Sequence, residues 1–125
     1  MPATARRQLG TRGEGHARRY LEARGYQFVT ANWRCAAGEL DLVMRDGDEL
    51  VFVEVKTRRG EPMGSAEEAV TAAQAKRLLL AGEWFLAGQT ALADAIWRID
   101  LVAITLDQTN AVRRLTHIVN AVSVG

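Results

Sequence analysis

Glu39, Asp41, Glu54 and Lys56 are the residues of this chain whose types and spacing suit them best for chemistry. They lie in the stretch GELDLVMRDGDELVFVEVKTR, Gly38 to Arg58. It predicts one strand at about Glu39–Met44 and another at about Leu50–Lys56, with Asp46-Gly47 as the turn signal. Side chains alternate between the faces of a strand. Leu40, Leu42 and Met44 therefore share one face of the first strand, and Glu39, Asp41 and Val43 the other. In the second strand Val51, Val53 and Val55 share a face opposite to Phe52, Glu54 and Lys56. A two-residue loop at Asp46-Gly47 sets Glu39 opposite Glu54. A four-residue loop, Asp46–Glu49, sets Asp41 opposite Glu54 and Glu39 opposite Lys56, and this is the favoured reading. Either register gathers all four polar residues on one face, because directly paired residues point the same way.

Three carboxylates beside one lysine repel one another, and burial raises their pKa unless a cation neutralises them. A hard divalent cation is one solution, since Mg²⁺ takes one or two carboxylates together with waters and phosphate oxygens. Lys56 would then stand beside the metal and stabilise an attacking hydroxide or a charged phosphorane. The alternative is a solvated hairpin face with a Glu–Lys pair worth about a few tenths of a kcal/mol. The flanking Phe52-Val53 and Val55 weigh against it, since they read as an interior strand, where unpaired acids are costly.

Asp41 followed by Glu54-Val55-Lys56 resembles the D…(D/E)xK signature of the PD-(D/E)xK nuclease superfamily, which includes restriction endonucleases and Holliday junction resolvases. The likeness is closer still to the small bacterial YraN family. It is carried by Gly13-Glu14 with Ala17 and Leu21, by Asn32-Trp33-Arg34 leading to Gly38-Glu39-Leu40-Asp41, and by Phe52 to Arg58, with echoes at Lys76 and at Arg98-Ile99-Asp100. Leu40 stands where the superfamily's name places a proline. The resemblance implies a restriction endonuclease-like core and a Mg²⁺-dependent endonuclease, with Mn²⁺ able to substitute, cutting branched or single-stranded DNA. In that reading Asp41, Glu54 and Lys56 are catalytic. Asp41 and Glu54 bind metal with the Val55 carbonyl, and Glu39 and Glu14 hold a second metal or orient the first.

The surrounding elements must position this face. The 125 residues are 48% hydrophobic and 25% charged, enough for a single domain over 1–125 with a real core, residues 1–8 being flexible. There is no apolar run long enough to span a membrane and no secretory signal pattern, and Cys35 is the single cysteine, so a cytoplasmic protein without a disulfide is expected. A helix is predicted from between Arg6 and Thr11 to about Arg24, with Gly25 closing it. Glu14, Ala17 and Leu21 lie on its inward stripe. Glu14 either pairs with Arg18 one turn on or, as the resemblance implies, approaches the metal site. Gly10, Gly13 and Gly15 weaken the start of this helix or allow close backbone approach.

Tyr26–Asn32 reads as a strand and Asn32–Gly38 as a loop, with Trp33 packing onto a helix. Ser65-Ala66-Glu67-Glu68 is a capping box opening a long helix to about Ala87, with a break conceivable near Thr71-Ala72. Val70, Ala73, Arg77, Leu80, Trp84 and Ala87 run along one of its sides, with Leu78, Leu79, Phe85 and Leu86 broadening the apolar surface. Trp97–Leu106 and Val112–Val119 are the last strands. Asp100 is expected to pair with an arginine such as Arg98 rather than bind metal, and His117 to be structural. The order α-β-β-β-α-β-β specifies an α/β domain with a central mixed sheet flanked by helices.

Net charge is only +1, but residues 1–34 hold seven arginines against two glutamates. Basic residues gathered apart from the acids suit a nucleic-acid partner. Arg34, Arg58, Arg59 and Lys76 are the candidate phosphate contacts, DNA is the expected partner, no membrane is expected, and a homodimer would suit a two-fold junction. The competing readings are a non-catalytic nucleic-acid-binding or adaptor protein that keeps the nuclease fold, and a structural protein using the acid–lysine face as an interface.

Overall fold

A strand that is apolar on both faces, as Leu50–Val55 is apart from Glu54, is stable only where both faces are covered. In the computed structural model, which describes residues 3–60, 70–89 and 95–122, this segment lies in the central strand of a five-stranded sheet. The elements are α1 (Ala3–Ala23), β1 (Gln27–Cys35), β2 (Gly38–Asp46), β3 (Glu49–Arg59), α2 (Ala72–Ala87), β4 (Ile96–Leu106) and β5 (Val112–Ile118). The strands lie side by side in chain order. β3 and β4 are parallel, joined across α2, and the other neighbours are antiparallel. This is the expected α/β architecture in the expected order. No helix of the described residues is long and apolar enough to cross a membrane.

Each helix covers one face. Leu9, Ala17 and Leu21 of α1 pack on Leu42, Met44, Val51, Val53, Val102, Ile104 and Leu106. Leu78, Ala81, Phe85 and Leu86 of α2 pack on Val43, Leu50, Phe52 and Ile99. Rings tie the second layer together: Phe85 meets both Trp33 and Phe52 edge-on, with centroids 5.2 and 5.7 Å apart. Trp33 thus packs on a helix as expected.

Gly13 shows why α1 lies so close to the sheet. A Cβ there would fall 1.7 Å from Thr57 Oγ1 and 2.8 Å from Thr57 Cβ, so the helix backbone itself rests on β3. The Thr57 hydroxyl is buried against it without a hydrogen-bond partner among the described residues. Alanine would improve helix propensity by about 1 kcal/mol, but overpacking costs about 1–3 kcal/mol or more, and at this separation the clash dominates. Gly13→Ala is therefore expected to lower unfolding stability by about 2 kcal/mol, measured by urea denaturation. Adding Thr57→Ala, which removes the two nearest-lying γ atoms, is expected to recover part of the loss. A neutral or stabilising Gly13→Ala would show that α1 stands off the sheet.

Several elements differ from the sequence reading. α1 begins at Ala3, ahead of the Arg6–Thr11 window, and runs through its three glycines. β1 continues to Cys35 where a loop was expected, because Trp33, Arg34 and Cys35 pair with Leu40, Glu39 and Gly38. Asn32 sits inside this strand at φ 53°, a conformation that asparagine tolerates better than most residues. The Ser65–Glu68 capping box lies outside the described residues. α2 has its own box at Thr71, whose backbone is extended, with reciprocal Thr71–Gln74 hydrogen bonds of 2.9 and 3.1 Å, which is the break near Thr71-Ala72 that the sequence reading gave as an alternative. Of the apolar surface expected on α2, Leu78, Phe85 and Leu86 are buried, together with Ala81 and Gly82, while Leu80 and Trp84 are exposed.

Candidate active site

β2 and β3 form the hairpin that carries the acids. Arg45 pairs with Leu50 and Leu42 with Val53, which is the register of the favoured four-residue connection, with Asp46 and Glu49 themselves paired across Gly47-Asp48. The ladder stops at Leu42–Val53, one position before Asp41 and Glu54 would meet. From there β3 follows β4 as far as Arg59, and β2 follows β1 to Gly38. The strands part as a fork. Val55 N–H, which has no β2 carbonyl to meet, donates to Asp41 Oδ2 at 2.9 Å. The fork also corrects one face assignment. Leu40 packs with Val43 and Phe52 under α2 rather than with Leu42 and Met44 under α1, because β2 turns as it leaves β3.

The fork gathers the predicted acids. Glu54 lies beside Asp41, each feeling the other's charge. Burial first, then the Asp41 charge, raises the Glu54 pKa from 4.5 to about 8, with Lys56 opposing. Lys56 Nζ lies 3.8 Å from Glu54 Oε1. Glu14 of α1 also points here, its pKa raised to about 7 by burial and then by Asp41. The pairing of Glu14 with Arg18 does not form. Arg18 instead bonds Glu22 at 3.3 Å and stacks on the Phe28 ring. Glu39 completes the group, 3.7 Å from the guanidinium of Arg34.

Asn32 was missed as a site residue. The β1–β2 register sets it across from Asp41. With its amide turned to donate, its nitrogen lies 3.1 Å from Glu14 Oε1 and 3.2 Å from Glu39 Oε1. It joins a helix acid to a strand acid. The signal was Asn32 at the head of the block Asn32-Trp33-Arg34, but ending the strand there hid the pairing that sets it among the acids.

Above the fork, a cleft of about 100 Å³ is lined by Gly38, Glu39, Glu54 and Lys56 from the strands and by Gln74, Arg77 and Leu78 from α2. Arg77, rather than the neighbouring Lys76, overlooks it, and Lys76 is exposed on α2. Arg58 follows Lys56 on the cleft side of β3, whereas Arg59 points to the α1 side, where it bonds Asn110. Asp100 and His117 stand apart from the fork. Asp100 is wholly buried and receives Arg98 at 2.9 Å, His117 Nε2 at 2.8 Å and Asn120 N–H at 3.0 Å, as expected of structural residues.

The oxygen donors fit a hard divalent cation: two adjoining carboxylates and the Val55 carbonyl, with Lys56 beside them and two further acids behind. Among the described residues no group of three acid, histidine or cysteine side chains is placed to hold a metal ion by itself. Such a cation would complete its shell with waters and phosphate oxygens, as Mg²⁺ ordinarily does.

The family model described as "Uncharacterised protein family UPF0102" matches residues 13–104, which begins at Gly13-Glu14 and spans the whole fork. A UPF0102 protein of Roseiflexus castenholzii is 44% identical over 117 residues, 94% of each chain. One of Pelotomaculum thermopropionicum is 43% identical over 95% of this chain and 98% of its own. One of Beutenbergia cavernae is 49% identical over 87% of this chain and 92% of its own.

Proposed function

The chain belongs to the UPF0102 family, and we propose that it is a Mg²⁺-dependent endonuclease hydrolysing DNA phosphodiester bonds, on branched or single-stranded substrates. The observation that carries this reading is the meeting of Asp41 and Glu54 where β2 and β3 part, with Lys56 beside them. Asp41, Glu54 and the Val55 carbonyl would hold the metal, with Glu39 and Glu14 behind, and Mn²⁺ would substitute. When bound, the cation supplies Lewis-acid polarisation of the phosphate and acidifies water.

The protein's own residues do the rest. The Val55 N–H fixes the Asp41 carboxylate, and Asn32 sets the rotamers of Glu14 and Glu39. Glu54 would release its proton to solvent when a cation binds. Lys56, two residues on along the same face, positions the attacking water and balances charge developing on the phosphate. Arg34, Arg58 and Arg77 hold the strand around the cleft, and Lys76 meets it further out on the exposed side of α2.

The test is a calorimetric Mn²⁺ titration. Wild type is expected to bind, and Asp41→Asn to give no heat. Lys56→Ala is expected to bind Mn²⁺ yet hydrolyse branched and single-stranded DNA about 10²–10³-fold more slowly. Identical isotherms for wild type and Asp41→Asn would remove the metal from this face. A second reading, a nucleic-acid-binding protein that retains the fold without hydrolysis, draws on the lack, among the described residues, of three acid, histidine or cysteine side chains placed to hold a metal ion by themselves. It predicts DNA affinity with no turnover in either metal.

A further inference from the structure

Two concavities adjoin along the first turns of α1, at the end of the sheet, and share Gln8 and Arg12. One, of about 390 Å³, is lined by Arg7, Gln8, Thr11 and Arg12. The other, of about 170 Å³, is lined by Ala5, Gln8, Leu9 and Arg12 of α1 together with Arg59 at the end of β3 and Asn110 before β5. Among the described residues, three arginines, two carboxamides and a hydroxyl line them, without a carboxylate. The nearby Asp107 is turned to its own loop, accepting from Thr109 and from the Ala111 N–H. Arg59 donates to Asn110, which uses only part of a guanidinium with five N–H donors. The groove is a lining of donors and positive charge, the chemistry that suits phosphate oxygens.

Its position relates to the fork. Arg59 is three residues beyond Lys56 along β3, a rise of about 10 Å. Arg7 is seven residues before Glu14 along α1, also about 10 Å. That distance corresponds to about three nucleotides along one strand of a duplex at about 3.4 Å each.

We propose that Arg7, Arg12 and Arg59 form a phosphate-contacting groove that grips the DNA backbone about three nucleotides from the fork. The inference shares its substrate class with the proposed function, and rests on that reading for its register, but it is built from residues outside the cleft. It assigns Arg59 to this groove and leaves Arg58 to the cleft.

The test is fluorescence anisotropy with a fluorescein-labelled DNA duplex of about 25 base pairs, in EDTA, between about 50 and 200 mM salt. Arg12→Ala/Arg59→Ala is expected to weaken binding about tenfold or more and to flatten the slope of log K against log salt by about 2. Arg24→Ala/Arg45→Ala removes the same charge from exposed positions at the other end of α1 and of the sheet. It is expected to change affinity by less than about threefold. Arg12→Lys/Arg59→Lys is expected to restore most of the slope, which also shows that the alanine variant's loss is not misfolding. Equal losses from the two alanine pairs, or no loss from either, would overturn the groove. Because EDTA removes metal chemistry, failure here with Mn²⁺ still bound at Asp41 would count against the groove and leave the cleft standing. Success here with no Mn²⁺ binding would do the reverse.

Discussion

Glu54→Gln is expected to abolish Mn²⁺ binding and DNA hydrolysis while raising thermal stability at pH 8 and above. The two effects share one cause. Glu54 sits on an interior strand with 18% of its side chain exposed, beside Asp41. Burial and then the neighbouring charge raise its pKa from 4.5 to about 8. A group that binds its proton more tightly in the folded state makes folding less favourable as pH rises between its unfolded and folded pKa values. The cost of ionising Glu54 is thus absent below pH 4.5, grows through the neutral range and is complete above about pH 8. Linkage bounds it at about 4–5 kcal/mol, and residual solvent access and relaxation reduce the expected gain to about 2 kcal/mol. For a domain of this size that is a rise of about 6 °C in Tm at pH 8.5, shrinking to nothing near pH 4.5. Glutamine keeps the shape and hydrogen-bonding capacity but cannot become the anion that a metal needs. Loss of metal binding together with greater stability at high pH is the signature of an acid placed for chemistry. An unchanged or lower Tm at pH 8.5 would mean that Glu54 ionises in the fold without cost, and would remove the argument that the fork stores unbalanced negative charge. The same linkage makes Mn²⁺ affinity rise with pH through about 8, since loading displaces the Glu54 proton.

The acids were legible because local rules determine their arrangement. Alternation and the Arg45–Leu50 register are properties of one hairpin, so Asp41, Glu54 and Lys56 could be brought together from spacing alone. Glu14 was legible as an acid on the inward stripe of a helix, though its partner was not, since Arg18 at i+4 and the strand acids were both within reach. What could not be read was the fork itself. β2 leaves β3 because β1 extends its pairing past Asn32 on one side and β4 runs parallel to β3 as far as Arg59 on the other. Both are contacts between segments distant in sequence. The fork frees Val55 N–H for Asp41, turns Leu40 to the other layer and places Asn32 among the acids, none of which has a local signature. The same holds for Arg58 and Arg59. As neighbours in sequence they looked like one basic feature, but successive residues of a strand serve opposite faces, and only the docking of α1 gave the second face an arginine groove.

Arg98→Met is expected to be the most destabilising single substitution of an ion-paired residue on the α1 face of β4. The guanidinium reaches Asp100 at 2.9 Å, Glu49 at 2.8 Å, Asp46 at 3.2 Å and the Tyr26 hydroxyl at 2.7 Å, with 13% of the side chain exposed. It links the start of β1 to the β2–β3 turn and to β4. Burial alone would raise the Asp100 pKa, but hydrogen bonds from His117, Arg98 and the Asn120 N–H outweigh it and hold the carboxyl below the ordinary carboxylate range. Methionine keeps much of the apolar stem, so the change isolates the charge and its hydrogen bonds from packing. Removing one partner from a buried ion pair costs about 3–5 kcal/mol, because the other charge is left without its counter-charge. His117 and the Asn120 N–H still reach Asp100, which sets the expectation toward the lower end, about 3 kcal/mol. The sign of the pH dependence separates this from a packing defect. In wild type the stability from ionised Asp100 is fully present above the unfolded carboxylate pKa and is lost as pH falls through the lower folded value. Arg98→Met raises that folded value. The difference between the two proteins should be largest near pH 7 and should narrow as acid protonates Asp100 in the variant first. Urea denaturation at pH 7 and pH 4 reads both. A deficit of the same size at both values would show that Arg98 acts through packing, and that the charge of Asp100 is satisfied without it.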